Sequence, residues 1–173
     1  MRFLDMGRFS NFLRGTFWVL LISSIAACAS SKQYSLTEVM VAEDGYAIHG
    51  YDPVSYFTDG EPSKGSEEFS YEWKEATWLF SSAEHRDLFK ESPEKYAPQY
   101  GGWCAYGAAG GYAADVDPLE SWTIHDDKLY LNYDKSVSKK WNKDIPGYLE
   151  KADEKWPKLN EELQEGTAKV YWK

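Results

Sequence analysis

Four side chains in this sequence are of the types that most often bind metals or act as nucleophiles. One is Cys104, in the glycine- and aromatic-rich segment 101–106 (GGWCAY), and the others are the imidazoles of His49, His85 and His125. Thiolate and imidazole are the usual ligands of copper and zinc, so a copper or zinc site would need Cys104 and at least two imidazoles to converge. No two of the four have the i, i+4 spacing that would place them on one helix face.

Cys104 is one of two cysteines, and the other, Cys28, lies in the N-terminal segment that ends an apolar run. A thiol without an intramolecular partner in an oxidising compartment is reactive, metal-binding or simply buried. Burial is common, because free cysteine is among the residue types found most often in protein interiors. All three interpretations stay open at the level of the sequence.

The N-terminus has three parts of different composition. A basic start with three arginines precedes an apolar run, residues 17–27, that is shorter than the roughly 20 residues needed to span a bilayer. The run ends in the letters IAAC, residues 25–28, which resemble a lipobox. Residues 1–27 are therefore predicted to be a cleaved signal peptide, with acylated Cys28 held in the lipid bilayer. The resemblance to Gram-negative lipoproteins, with Ala29 and not aspartate after the cysteine, implies sorting to the outer membrane, with the domain facing the periplasm.

Charge and length narrow the class of protein further. The sequence has 19 basic and 28 acidic side chains, and removal of the signal with its three arginines and one aspartate leaves 16 and 27, a formal charge of −11. Nucleic acid is excluded as a partner, because its binding depends on neutralising phosphates. The acidity is interpreted as a solubility feature. The remaining 146 of the 173 residues fit one domain.

Local patterns predict a mixture of hairpins and short helices. Because strands and helices do not alternate as βαβ units, the fold class is predicted as α+β, with a small antiparallel sheet of hairpins packed with several short helices in a single domain. The predicted strands are one at 46–50 and the two hairpins 69–73/77–80 and 122–125/129–133, and a turn is predicted from Asp52 through Phe57. Four helices are predicted. The first is capped by Ser81, the second begins at Pro93, the third is capped by Asp134, and the fourth covers 146–163 with a break or kink at Pro157.

Three segments together resemble the YHS-domain family: 50–57 (GYDPVSYF), 78–89 (WLFSSAEHRDLF) with PEKY after it, and 100–106 (YGGWCAY). The likeness covers roughly residues 45–157 and is closer to the stand-alone exported proteins of the family than to the short modules attached to metal-transporting ATPases. Together with the N-terminal signal, it predicts four parts of the chain, which are a signal peptide (1–27), a lipidated N-terminus and polar tether (28–44), a YHS-like domain (45–157) and a C-terminal helical extension or tail (158–173).

The short modules of that family carry metal-binding cysteines at three positions. This chain has Ser55, Ser81 and His85 there. A serine hydroxyl stays protonated near neutral pH and is a poor ligand for soft metals. The resemblance therefore leaves His85 as the one position of the three that keeps ligand capacity.

The resulting prediction is a lipid-anchored periplasmic YHS-domain protein that binds a metal ion or a small ligand without catalysis. Its predicted binding residues are Cys104, His85 and His49. Aromatic residues of the resembling segments are predicted to line the pocket: Tyr56, Trp78, Tyr100, Trp103 and Tyr106. Two alternatives remain, a structural or adaptor lipoprotein that docks an envelope protein partner and a thiol-based redox enzyme that uses Cys104.

Overall fold

The computed structural model describes residues 36–173, so the predicted signal peptide, the lipidation of Cys28 and the first part of the tether lie outside the described residues. The described chain contains six α-helices and six short strands, and it has no βαβ alternation within those residues. The strands form two-stranded sheets that pack with the helices in one compact unit. The predicted α+β class is confirmed.

The elements follow one another in mixed order along the chain. The helices are α1 (Ser55–Thr58), α2 (Ala83–Glu91), α3 (Pro93–Tyr96), α4 (Ala105–Gly110), α5 (Lys135–Trp141) and α6 (Ile145–Gln164). The strands are β1 (Ser66–Trp73), β2 (Ala76–Phe80), β3 (Ala113–Ala114), β4 (Trp122–His125), β5 (Lys128–Leu131) and β6 (Val170–Tyr171). Two 3-10 turns lie at Ile48–Gly50 and Gln99–Gly102.

Both predicted hairpins are present. Strand β1 pairs with β2 and β4 pairs with β5, each antiparallel. Each hairpin closes through two residues with positive φ, Lys74 (50°) and Glu75 (59°) in the first and Asp126 (49°) and Asp127 (57°) in the second. Paired positive φ values define the turn whose twist matches that of antiparallel strands.

A third sheet was not predicted. Strand β3 pairs in parallel with β6, with Ala113 opposite Val170 and Ala114 opposite Tyr171. This pairing brings the last residues of the chain beside the segment that follows Cys104. It also places much of the predicted extension, residues 158–173, within the same packed unit, since Leu159 and Leu163 of α6 are buried as well.

Two of the predicted helix starts can be compared with the observed caps. Asp134 caps α5 as predicted, because its carboxylate accepts the N–H of Val137 at 2.8 Å. Helix α2 is capped by Ser82 and not by Ser81, and the Ser82 hydroxyl accepts the N–H of His85 at 3.1 Å. Ser81 lies one residue before the capping position, and its hydroxyl donates to the carboxylate of Asp52.

Segment 46–50 forms no strand, contrary to prediction. It joins other parts of the chain through isolated bridges and then enters the 3-10 turn Ile48–Gly50. Ile48 and His49 have φ values of 43° and 57°, which are incompatible with an extended strand. A β-branched residue at positive φ is an outlier that the surrounding structure must hold in place.

Helix α6 continues through Pro157, so the predicted break does not occur. A proline inside a helix removes one hydrogen bond, here the one that would reach the carbonyl of Asp153. Ala152 before the proline and Leu159 and Leu163 after it are buried in the same core. We attribute the uninterrupted course of α6 to this burial on both sides of the proline.

The core is rich in aromatic residues and includes part of the predicted tether. Trp78, Trp103 and Trp141 are fully buried, and so are Val39 and Met40, which lie in the 28–44 segment that the sequence indicates as polar. Val39 and Met40 therefore belong to the core and not to an exposed linker. Among residues 36–173, no helix is long and apolar enough to cross a membrane.

Candidate functional site

The three predicted binding residues lie in three separate hydrogen-bond networks. His85 contacts Asp52, His49 contacts Asp115, and Cys104 contacts Asn132. Among the described residues, no group of three or more histidine, cysteine, aspartate or glutamate side chains could hold a metal ion. The convergence that a copper or zinc site on Cys104 and two imidazoles requires is therefore not found in this part of the chain.

Asp52 organises the network around His85. Its carboxylate is fully buried and accepts hydrogen bonds from the backbone of Val54 (2.8 Å), the backbone and hydroxyl of Ser81 (2.9 and 2.7 Å) and Nδ1 of His85 (2.6 Å). The second ring nitrogen of His85 lies 3.1 Å from the hydroxyl of Thr58. A buried carboxylate needs such donors, because an unpaired buried charge is strongly destabilising.

Ser55, Ser81 and His85, the three positions singled out by the resemblance described above, all contact Asp52. Ser81 and His85 bind its carboxylate, and the hydroxyl of Ser55 donates to its backbone carbonyl at 2.8 Å. Ser55 also accepts the N–H of Ser63 at 3.1 Å. These contacts connect α1, the end of β2 and α2, so their most direct role is to hold these elements together.

His49 and Asp115 form a second imidazole–carboxylate pair. Nε2 of His49 lies 2.6 Å from Oδ1 of Asp115, whose carboxylate also accepts the backbone N–H of Val116 at 2.7 Å and of Lys173 at 3.4 Å. Burial by itself raises the pKa of Asp115, but the hydrogen bond and charge of His49 together with the two backbone donors outweigh it. The net result is a pKa below the ordinary value of aspartate.

Cys104 is 2% exposed and caps the N-terminus of α4. Its sulfur accepts the N–H of Gly107 at 3.4 Å, and its thiol lies 3.7 Å from Oδ1 of Asn132. Burial raises the pKa of Cys104 and outweighs the backbone N–H groups that act in the opposite direction. A raised pKa disfavours the thiolate, which is the form that attacks electrophiles and binds soft metals.

A cavity of about 390 Å³ lies against Cys104. Its walls are mostly apolar and aromatic, and the residues come from α5, from β3 and β6, and from the loops beside them. We call this space the Cys104 cavity. It is lined by Cys104, Tyr112, Ala114, Tyr133, Val137, Tyr171 and Trp172.

The C-terminal aromatic residues fix the shape of this cavity. The ring of Tyr171 meets that of Tyr112 edge to face at 5.1 Å, and Trp172 packs on Trp103 at 5.3 Å. The hydroxyl of Tyr133 donates to the carbonyl of Trp172 at 3.5 Å. Tyr171 is 43% exposed, which places it at the cavity's open side.

The five aromatic residues predicted to line one pocket are distributed over several places. Trp78 and Tyr100 line a second, smaller hollow. Tyr56 is buried and donates to the carbonyl of Pro118 at 2.8 Å, and Trp103 is buried behind Trp172. Tyr106 is half-buried against Tyr148, at 5.0 Å between ring centres.

Sequence reasoning missed most of the residues that line the Cys104 cavity. Tyr112, Tyr133, Tyr171 and Trp172 belong to no motif and meet only through the parallel pairing of β3 with β6. The aromatic content of the chain, eight tryptophans and thirteen tyrosines, indicates aromatic contacts in general without locating them.

Comparison of the chain with family models, with curated proteins and with solved structures finds no significant match to any of them.

Proposed function

We propose that this protein is an envelope lipoprotein, anchored through Cys28 and carrying a YHS-like domain, that binds a small apolar ligand without catalysis. The binding site is the Cys104 cavity. Its volume, about 390 Å³, lies within the range of small-molecule sites, roughly 300–1,000 Å³. The single observation that carries the proposal is this aromatic cavity beside a buried thiol.

The chemistry of the walls supports an apolar ligand. Tyr112, Tyr133, Tyr171 and Trp172 offer ring faces and edges, and Val137 and Ala114 add aliphatic surface. Burial, followed by the neighbouring Cys104, raises the pKa of Tyr112. Its hydroxyl therefore stays neutral at physiological pH and is available for a hydrogen bond.

Two other functions suggested by the sequence receive less support. A copper or zinc site would need ligands beyond Cys104, and His49 and His85 are engaged with separate carboxylates. A thiol enzyme would need a lowered pKa at Cys104, whereas burial raises it. In the proposed function Cys104 is a wall of the cavity and its thiol stays protonated.

Binding of a neutral fluorescent dye, N-phenyl-1-naphthylamine, tests the proposal. We expect saturable binding of one dye molecule per protein, with an increase in dye fluorescence. Val137→Phe fills part of the cavity and should weaken binding at least about ten-fold, or about 1.4 kcal/mol. Its folding is checked by circular dichroism and by the unfolding temperature.

Trp156→Ala, in the smaller hollow, is the matched control and should bind the dye as the wild type does. The proposal fails if the wild type does not bind the dye, or if Val137→Phe binds it with unchanged affinity. The first result would favour the adaptor hypothesis, whose test is co-purification with an envelope protein.

A further inference from the structure

Two exposed lysines lie beside aromatic rings that line the Cys104 cavity. The ammonium of Lys169 lies 4.8 Å from the ring centre of Tyr171, and that of Lys173 lies 5.1 Å from the ring centre of Tyr133. Residues two apart in an extended segment point to the same face, so both lysines share a face with Tyr171. Because Tyr171 is at the open side of the cavity, two positive charges stand beside its opening.

The rest of the chain neutralises these two charges only in part. Within residues 36–173, neither ammonium forms an ion pair with an acidic side chain. The backbone N–H of Val137 and the hydroxyl of Ser136 are the main causes of the lowered pKa of Asp134. Lys173 adds a smaller contribution in the same direction, so its charge is partly shared with Asp134. We therefore expect Lys169 to be the freer of the two cations.

The wall of the cavity adds hydrogen-bond donors and no negative charge. Tyr112 and Tyr171 both line the cavity, and in the described part of the chain neither hydroxyl makes a hydrogen bond. A phenol hydroxyl can donate to an anion. None of the seven lining residues carries a carboxylate. The polar groups at this site are thus suited to an anion, while the remaining surface is apolar.

We propose, on the basis of the function proposed above, that the ligand of the Cys104 cavity is a single-chain amphiphile with an anionic head group, a medium-chain carboxylate. Its alkyl chain packs on the aromatic walls and on Val137, where water is excluded from both surfaces. Its carboxylate lies at the open side, where Lys169 and Lys173 attract it. The head group stays in contact with water, so binding does not require a buried charge.

The volume of the cavity agrees with a chain of medium length. At about 30 Å³ for each molecule, a volume of 390 Å³ corresponds to about thirteen water molecules. A methylene group occupies nearly the volume of one water molecule in the liquid. The cavity therefore accommodates the chain of decanoate with the carboxylate at the surface.

The local charges favour an anion although the chain as a whole is acidic, with a formal charge of −9. At physiological ionic strength the screening length is about 8 Å, so distant acidic side chains have little effect at the opening. A cationic head group would meet Lys169 and Lys173 and would be repelled. A neutral molecule would contact the rings and gain nothing from the lysines.

Calorimetric titration of the folded protein with decanoate and with decylammonium, below the concentrations at which either aggregates, tests the proposal. The two probes have the same chain and opposite charges. We expect one decanoate to bind per protein, at least about ten-fold more tightly than decylammonium. Added salt should weaken decanoate binding and leave the affinity for the neutral dye N-phenyl-1-naphthylamine unchanged. Measurement at two temperatures detects binding even where its enthalpy is zero at one of them.

The double variant Lys169→Gln/Lys173→Gln should weaken decanoate binding about ten-fold, with the larger share from Lys169→Gln, and should bind the neutral dye as the wild type does. Lys151→Gln is the matched control and should leave decanoate affinity unchanged. It also removes an ammonium beside a tyrosine ring, that of Tyr148, but this ring does not line the cavity.

Three results would overturn the anionic amphiphile: no decanoate binding at either temperature, equal affinity for decanoate and decylammonium, or unchanged decanoate affinity in the double variant. Each of them leaves the proposed apolar site standing if the neutral dye still binds. Failure of the wild type to bind the dye is the separate result that counts against the proposed function itself.

Discussion

Asp52 and Asp115 are two buried carboxylates, each 2.6 Å from a histidine nitrogen, and they have different surroundings. Asp52 is fully enclosed and joins three elements of the fold. Asp115 is 4% exposed and lies between His49 and the backbone of Lys173. For both residues these hydrogen bonds satisfy a carboxyl group that is removed from water.

Asp115 should make stability depend on pH in the acidic range. Its folded pKa is lowered from the ordinary 3.8, so as the pH falls the unfolded chain takes up the proton first. The stabilisation is thus fully present above the unfolded pKa and is lost as the pH falls through the folded pKa. Urea unfolding between about pH 6 and pH 3 should show a smaller loss of stability for Asp115→Asn than for the wild type.

Asp126→Asn is the control for this measurement, since the Asp126 side chain is 85% exposed. An Asp115→Asn profile that runs parallel to that of the wild type over the whole range would contradict the prediction. It would mean that the contact with His49 leaves the titration of Asp115 unchanged.

The 3-10 turn Gln99–Gly102 and residues 37–40 hold each other in position. The N–H of Met40 donates to the carbonyl of Gly101 at 2.8 Å, and the indole N–H of Trp103 donates to the carbonyl of Thr37 at 3.3 Å. These contacts hold residues 37–40 against the core. They also form one wall of the smaller hollow that Trp78 and Tyr100 line.

Gly101 has a φ of 61°, and a Cβ atom added there would overlap the carbonyl oxygen of Glu38. Gly101→Ala should therefore destabilise the protein by more than about 2 kcal/mol, through backbone strain and the displacement of Glu38. The matched change is Gly60→Ala, where φ is 74° and no atom lies within 4 Å of the added carbon. Gly60→Ala introduces the backbone strain without a steric clash, so it should lower the free energy of unfolding by about 1 kcal/mol. Chemical denaturation of both variants measures the difference, and equal costs would show that the close approach to Glu38 contributes nothing.

At the scale of the whole molecule, the glycine- and alanine-rich segment around Cys104 contributes to two hollows of different chemistry. Tyr100 and Gly101 line the smaller, polar one, and Cys104 lines the larger, apolar one. The C-terminal strand completes the second through Tyr171 and Trp172. The proposed lipid anchor would hold both hollows close to a membrane surface.

Lipidation is tested most directly at the predicted acylation site. In a bacterial host, Cys28→Ser should lose incorporation of labelled palmitate and move from the membrane fraction to the soluble fraction, because no acyl chain remains to hold it. Cys104→Ser, which removes the other thiol, should keep both label and membrane location. Continued labelling of Cys28→Ser would contradict the assignment of Cys28 as the lipid carrier.

Local signals in the sequence were sufficient for part of the fold. The two hairpins, the helix opened by Pro93 and the helix capped by Asp134 follow from side-chain alternation, proline geometry and a cap within three residues. The strand expected at 46–50 failed because long-range contacts hold Ile48 and His49 at positive φ. Of the predicted site residues, Cys104 lines the Cys104 cavity, and Trp78 and Tyr100 line the smaller hollow.

What the sequence determined by itself is what depends on neighbours a few residues apart: hairpins, caps, the acidic character and the predicted lipidation signal. The tertiary structure alone decided that Cys104, His85 and His49 lie in separate networks and that Tyr171 and Trp172 line the cavity beside Cys104. The parallel pairing of β3 with β6 creates that cavity. Such a contact is set by the packing of the whole core, because residues distant in the chain leave no local pattern that specifies their pairing.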